Sequence, residues 1–132
     1  DILLITEPWY NNIGGDQQGA PSHHVWQPIL PVQPIAADEC PQVMAYIRHQ
    51  GVFSVTLRSD LAQDLDMMFL EVRQGSNMPF IIGNIYNGRG SANNAEWTLD
   101  RLLPIHLPEN IPYSLTGDWN THHTLWEDNP NN

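Results

Sequence analysis

The sequence predicts an α+β domain built mostly from antiparallel strands with one clear helix. Three observations lead there: short apolar runs bounded by Pro, Gly, Asn and Asp recur from end to end, one segment carries helical periodicity, and an apolar run returns after it. A chain of 132 residues can bury about two-thirds of its unfolded surface in a single core. At 41% hydrophobic and 15% charged, with eleven Pro and nine Gly, its composition is that of a folded, loop-rich globule.

The elements follow in order. Ile2–Thr6 is an unbroken apolar run, which suggests a strand covered on both faces, and Glu7-Pro8-Trp9 leaves the sheet. Asn11–Ser22 is rich in Gly and Gln and reads as a flexible loop. Val25–Leu30, Val43–Ile47, Phe53–Leu57, Met67–Val72 and Phe80–Ile85 are strand candidates. Short turns such as His49-Gln50-Gly51 and Gln74-Gly75-Ser76-Asn77 favour antiparallel neighbours. The helix is announced by Asn93 with Glu96 three residues on, a capping-box spacing, followed by the stripe Trp97, Leu99, Leu102 and Leu103. Pro104 and Pro108 end it. Tyr113–Gly117 is the returning strand, and Glu127–Asn132 is a polar tail that frays. Trp97 and Trp119 are expected in the core, whereas Trp9 and Trp126 fall at strand ends.

Five basic against fifteen acidic residues give a net charge of −10, which excludes a cationic nucleic-acid clamp. A single cysteine, Cys40, excludes an internal disulfide framework and a thiolate zinc cage. No apolar stretch approaches the roughly 18 residues that span a bilayer, so no membrane partner is expected. The chain opens directly on a strand, as a segment from within a larger domain would.

Three polar clusters could carry chemistry. In Gly117-Asp118-Trp119-Asn120-Thr121-His122-His123, an extended backbone would put Asp118 and Asn120 on one face. A carboxylate can orient a water there and an amide can donate to a phosphate oxygen; an ordinary strand-to-loop turn uses the same residues. Glu7, at the end of the first strand, could supply one oxygen to a magnesium ion or be a solvated edge residue. In Asn84-Ile85-Tyr86-Asn87-Gly88-Arg89, the amides, phenol and guanidinium are phosphate donors, or else the segment is a strand closing in an Asn-Gly turn. Adjacent histidines, His23-His24 and His122-His123, diverge on an extended chain and cannot easily chelate one zinc ion.

Glu7-Pro8-Trp9, then Asn84-x-Tyr86-Asn87, then Gly117-Asp118-Trp119-Asn120-Thr121-His122-His123-Thr124-Leu125-Trp126 resembles, in order and spacing, the endonuclease/exonuclease/phosphatase superfamily. The third element is similar to its G-D-x-N motif, and the wording is closest to the endonuclease domains of non-LTR retrotransposons. The resemblance covers essentially the whole chain. It implies a four-layer αββα, DNase-I-like sandwich, of which this chain would be a part, and hydrolysis of phosphodiesters by in-line attack of water. Carried over residue by residue, it implies that Glu7 binds Mg²⁺ or Mn²⁺, that Asp118 positions or deprotonates the water, that Asn120 hydrogen-bonds the phosphate, and that Tyr86 supports the developing charge. Asn84, Asn87, Arg89, Trp9, His122 and His123 are the further candidate substrate contacts. The family's Asn on a strand before the Glu and its C-terminal Asp-His pair have no counterpart in these residues, and neither His122 nor His123 matches the terminal His.

The resemblance further implies a nuclear, intracellular enzyme that nicks a DNA target for retrotransposition, with a reverse transcriptase domain in the same polyprotein. Two other readings stay open: a phosphatase or phosphodiesterase of the same superfamily, and an inactive copy serving as an interaction module. With Arg48, Arg58, Arg73, Arg89 and Arg101 as the only cations, few counterions can be displaced from DNA, and weak binding with a shallow salt dependence is expected.

Overall fold

The computed structural model describes residues 1–14, 17–88 and 96–121. Among these described residues, nine strands and one helix occur in the order β1 (Ile2–Thr6), β2 (Asn11–Gly14), β3 (Gln17–Gly19), β4 (Trp26–Ile29), β5 (Val43–Arg48), β6 (Phe53–Leu57), β7 (Met67–Gln74), β8 (Phe80–Tyr86), α1 (Thr98–Leu102) and β9 (Tyr113–Asp118). The α+β class holds: two main sheets, one antiparallel and one mixed, accompany a single short helix. Sheet order is β1-β5-β4 in the first and β6-β7-β8-β9 in the second, with β2 and β3 forming a separate pair.

The sheets pack face to face because alternate residues of each are apolar. Val43 and Ala45 of β5 meet Met68 and Leu70 of β7, with Leu4, Ile29, Val55 and Leu57 closing around them. On the other face of the second sheet, Met67, Phe69, Ile81 and Ile85 are covered by Leu102 of α1 and by Leu61, Ile105, Leu107, Ile111 and Trp119. Met44, on the outer face of the first sheet, is also buried, and Tyr46 beside it donates its hydroxyl to the Pro21 carbonyl at 2.8 Å.

Several expectations are corrected. The segment read as a loop over Asn11–Ser22 contains the short antiparallel pair β2–β3. The turn His49-Gln50-Gly51 joins strands of different sheets, so β5 and β6 are not hairpin neighbours, whereas β7 and β8 are. β1 is an edge strand with Leu3 48% exposed, not one covered on both faces. The helix starts after Trp97, whose N–H donates to Asp100 Oδ2 at 3.2 Å. Asp100 therefore supplies the acidic half of the cap expected of Glu96, and Asn93 lies outside the described residues. Trp97 is 38% exposed, standing at the cap just before the helix, whose buried residues are Thr98 and Leu102.

One pairing positions the candidate site. β9 runs parallel to β8, with Asn84 opposite Thr116, Ile85 opposite Gly117 and Tyr86 opposite Asp118. A parallel neighbour needs a long crossover, here the segment that carries α1. Gly117 has φ +139°, and a Cβ there would stand 1.8 Å from the Ile85 carbonyl oxygen. Only glycine lets β9 approach β8 this closely just before Asp118.

Candidate active site

Glu7, Tyr86 and Asp118 come from the ends of three strands in two sheets and are gathered at one end of the sandwich. Tyr86 points into the space between the sheets, and its hydroxyl donates to Glu7 Oε1 at 3.0 Å. Glu7 is exposed and is held by its own N–H, which donates to the Gln42 carbonyl at 2.8 Å. The hydrogen bond to Glu7, then burial, keep the Tyr86 phenol above its ordinary pKa; the Asn120 side chain opposes them, and the nearby charges of Glu7 and Asp118 add to the rise. Tyr86 is therefore a neutral donor at physiological pH.

Asp118 and Asn120 do not lie along an extended strand, as the sequence suggested. β9 ends at Asp118, whose Oδ1 accepts the Asn120 N–H at 2.9 Å, and this turn sends Trp119 back against the core. Asn120 takes φ +45°, and Glu7 takes φ +49°. Gln50 is the one other non-glycine residue with positive φ among the described residues, and it sits in a tight turn. Side chains held in this region against a cost of roughly 1–3 kcal/mol cluster at functional sites, where surrounding contacts fix them.

Asn84, Asp118 and Asn120 line an open groove of roughly 720 Å³ together with Thr6 and Thr116. Tyr86, the register partner of Asp118, lines a second hollow with Asp66 and Arg101. Asn84 is 1% exposed, and its Nδ2 donates to the carbonyls of Ile5 and Met44 at 2.9 and 3.2 Å, tying the two sheets together. Asn87 is likewise buried, its side chain bonded to backbone groups of Trp119 and Leu99. Trp9, two residues beyond Glu7, is 58% exposed. Arg89, His122, His123 and Trp126 lie outside the described residues.

Sequence reasoning missed the supports. Thr98, fully buried, bonds Gly88 through its Oγ1, and Asp66 accepts from Arg101 Nη2 at 2.6 Å while its own carbonyl receives the Tyr86 N–H at 2.8 Å. These partners are backbone groups or distant in sequence, and no spacing rule marks them. The four described arginines are all ion-paired: Arg48 with Asp1, Arg58 with Asp60 and Glu71, Arg73 with Glu71, and Arg101 with Asp64 and Asp66.

No group of three or more His, Cys, Asp or Glu side chains among the described residues is placed to hold a metal ion, so an all-protein cage is not offered. Glu7 is exposed beside the Tyr86 hydroxyl, and its Oε2 takes no hydrogen bond among the described residues. That donor set suits a hard cation held by one carboxylate and completed by water and substrate oxygens, as magnesium commonly is. No helix among the described residues is long and apolar enough to cross a membrane. No protein-family model, curated protein or solved structure matches the chain.

Proposed function

We propose that this chain carries part of the active site of a divalent-metal-dependent phosphodiesterase, a DNA endonuclease of the endonuclease/exonuclease/phosphatase superfamily with a DNase-I-like αββα architecture. The observation that carries the reading is the convergence of Glu7, Tyr86, Asp118 and Asn120. They are separated by up to 113 positions in the chain, yet the Tyr86–Glu7 bond, the Tyr86–Asp118 register and the Asp118–Asn120 turn join them.

Each side chain has a task within that reading. Glu7 would hold Mg²⁺ or Mn²⁺, which would supply charge neutralisation at a phosphate oxygen. Tyr86 fixes the Glu7 carboxylate by donating to Oε1 and keeps its own proton, so it adds no negative charge beside the phosphate. Asp118 spends Oδ1 on the turn and uses Oδ2 to orient the attacking water and take its proton. Asn120 fixes its amide by donating one Nδ2 hydrogen to the Asn87 carbonyl at 2.9 Å, and within this reading it turns the other, which faces Tyr86, to the phosphate, a fixed donor of the kind that can contribute about 3 kcal/mol to transition-state stabilisation. With the four described arginines ion-paired, a bound cation would offset the chain's negative charge locally.

Nicking of supercoiled plasmid in Mg²⁺ by the full-length protein that contains these residues tests the proposal. Nicking is expected from the wild type, and Glu7→Ala or Asp118→Ala should each reduce it by at least about 10²-fold. Equal nicking by wild type and Asp118→Ala, or none by the wild type, would overturn it.

A further inference from the structure

We infer that Asn87 is a positioning residue: it holds the Asp118-Trp119-Asn120 turn in the geometry that the phosphodiesterase reaction requires, and the inference rests on that reading of the site. Asn87 is 7% exposed, which removes it from substrate. Three of its four hydrogen bonds among the described residues go to the turn: its N–H donates to the Asp118 carbonyl at 2.8 Å, its Nδ2 donates to the Trp119 carbonyl at 2.8 Å, and its carbonyl accepts from Asn120 Nδ2 at 2.9 Å. The fourth joins its Oδ1 to the Leu99 N–H at 3.1 Å, anchoring the same residue to the start of α1.

The side chain must be an amide. Trp119 offers an acceptor and Leu99 offers a donor, so one short side chain has to donate on one side and accept on the other. Aspartate keeps the shape and the acceptor but faces the Trp119 carbonyl with a second acceptor. Without the Nδ2–Trp119 bond the turn keeps the two backbone bonds to Asn87 and the Asn120 N–H bond to Asp118 Oδ1, but it loses the side-chain tie at its centre and can relax. That relaxation would carry the Asn120 amide, and the Asp118 oxygen bonded to its N–H, off position, and a displacement near 1 Å can cost about 10²-fold in rate.

Two measurements on Asn87→Asp test this. In the nicking assay, kcat should fall about 10²-fold with KM within about threefold of wild type, the pattern of an interaction needed only in the transition state. Unchanged kcat would overturn the inference, as would a raised KM with unchanged kcat, which marks a substrate contact. Wild-type nicking by Asp118→Ala would sink the functional reading instead. The second measurement needs no activity: in ¹⁵N-resolved NMR of the chain, the Asn120 backbone and side-chain amide signals should move in Asn87→Asp while those of Met67–Leu70 stay. Unmoved Asn120 signals, or loss of the core signals as well, would overturn the positioning role.

Discussion

Gly117→Ala is the sharpest perturbation the structure offers. The new Cβ would lie 1.8 Å from the Ile85 carbonyl oxygen and 2.7 Å from the Ile85 nitrogen and carbonyl carbon. Since these are backbone atoms of a central strand, no side chain can swing aside, and β9 must retreat by roughly 1.5 Å to regain van der Waals contact. The backbone also pays for φ +139°, of order 1–3 kcal/mol for a residue with a side chain. Retreat further loosens one or two β8–β9 ladder bonds, at about 1 kcal/mol each, which gives an expected loss of about 2–5 kcal/mol. Gly75→Ala is the internal control: its φ is +55° with nothing within 4 Å of the added Cβ, so it pays the backbone term alone, about 1–2 kcal/mol. Urea unfolding followed by tryptophan fluorescence and circular dichroism measures both, with the m-values checked for equality. If Gly117→Ala costs no more than Gly75→Ala, the close approach of β9 to β8 is wrong, and so is the placement of Asp118 beside Tyr86.

Two more outcomes are expected. Asn84→Ala removes the donor to the buried Ile5 and Met44 carbonyls and should destabilise the chain by about 2–4 kcal/mol, since each deserted carbonyl costs its desolvation; a loss under about 1 kcal/mol in thermal melts would show that water replaces the amide. Tyr86, followed by ¹³C-tyrosine NMR and assigned with Tyr86→Phe, should titrate above the ordinary tyrosine value, and Glu7→Gln should bring it down, because the Glu7 hydrogen bond is the largest cause of the rise. Because the folded pKa is raised, this contribution to stability is whole below about pH 10 and is lost as pH climbs through the folded value. Titration unaffected by Glu7→Gln would show that the bond is not made in solution.

Much of this was legible before any coordinates. Short apolar runs bounded by turn residues located β5 to β9, and β5, β7 and β8 bury residues of both faces. Glu7, Tyr86, Asp118 and Asn120 stood out by residue type and by position at strand ends. Other features carry no such mark. β2 and β3 have no apolar alternation, so a Gly- and Gln-rich pair looks like a loop. Strand direction is absent from periodicity, although the length between Tyr86 and Tyr113 is what a parallel partner demands. Leu3 shows that an unbroken apolar run can also form an edge. Asn87 works through backbone carbonyls, which every residue has, and so its place was read as a turn or a substrate contact.

The bond between Tyr86 and Glu7 spans 79 positions, and so does that from Asn84 to Ile5. Contacts of such sequence separation carry the entropy cost of the long loop they close. Docking of the N-terminal strand against the second sheet makes the Asn84–Ile5 bond and brings Glu7 to Tyr86 together. A chain with its second sheet formed but β1 undocked would hold Asp118 and Tyr86 without their acidic partner. The two sheets must therefore both be in place before the cluster exists, and a partly folded form would lack the Tyr86–Glu7 bond that joins them.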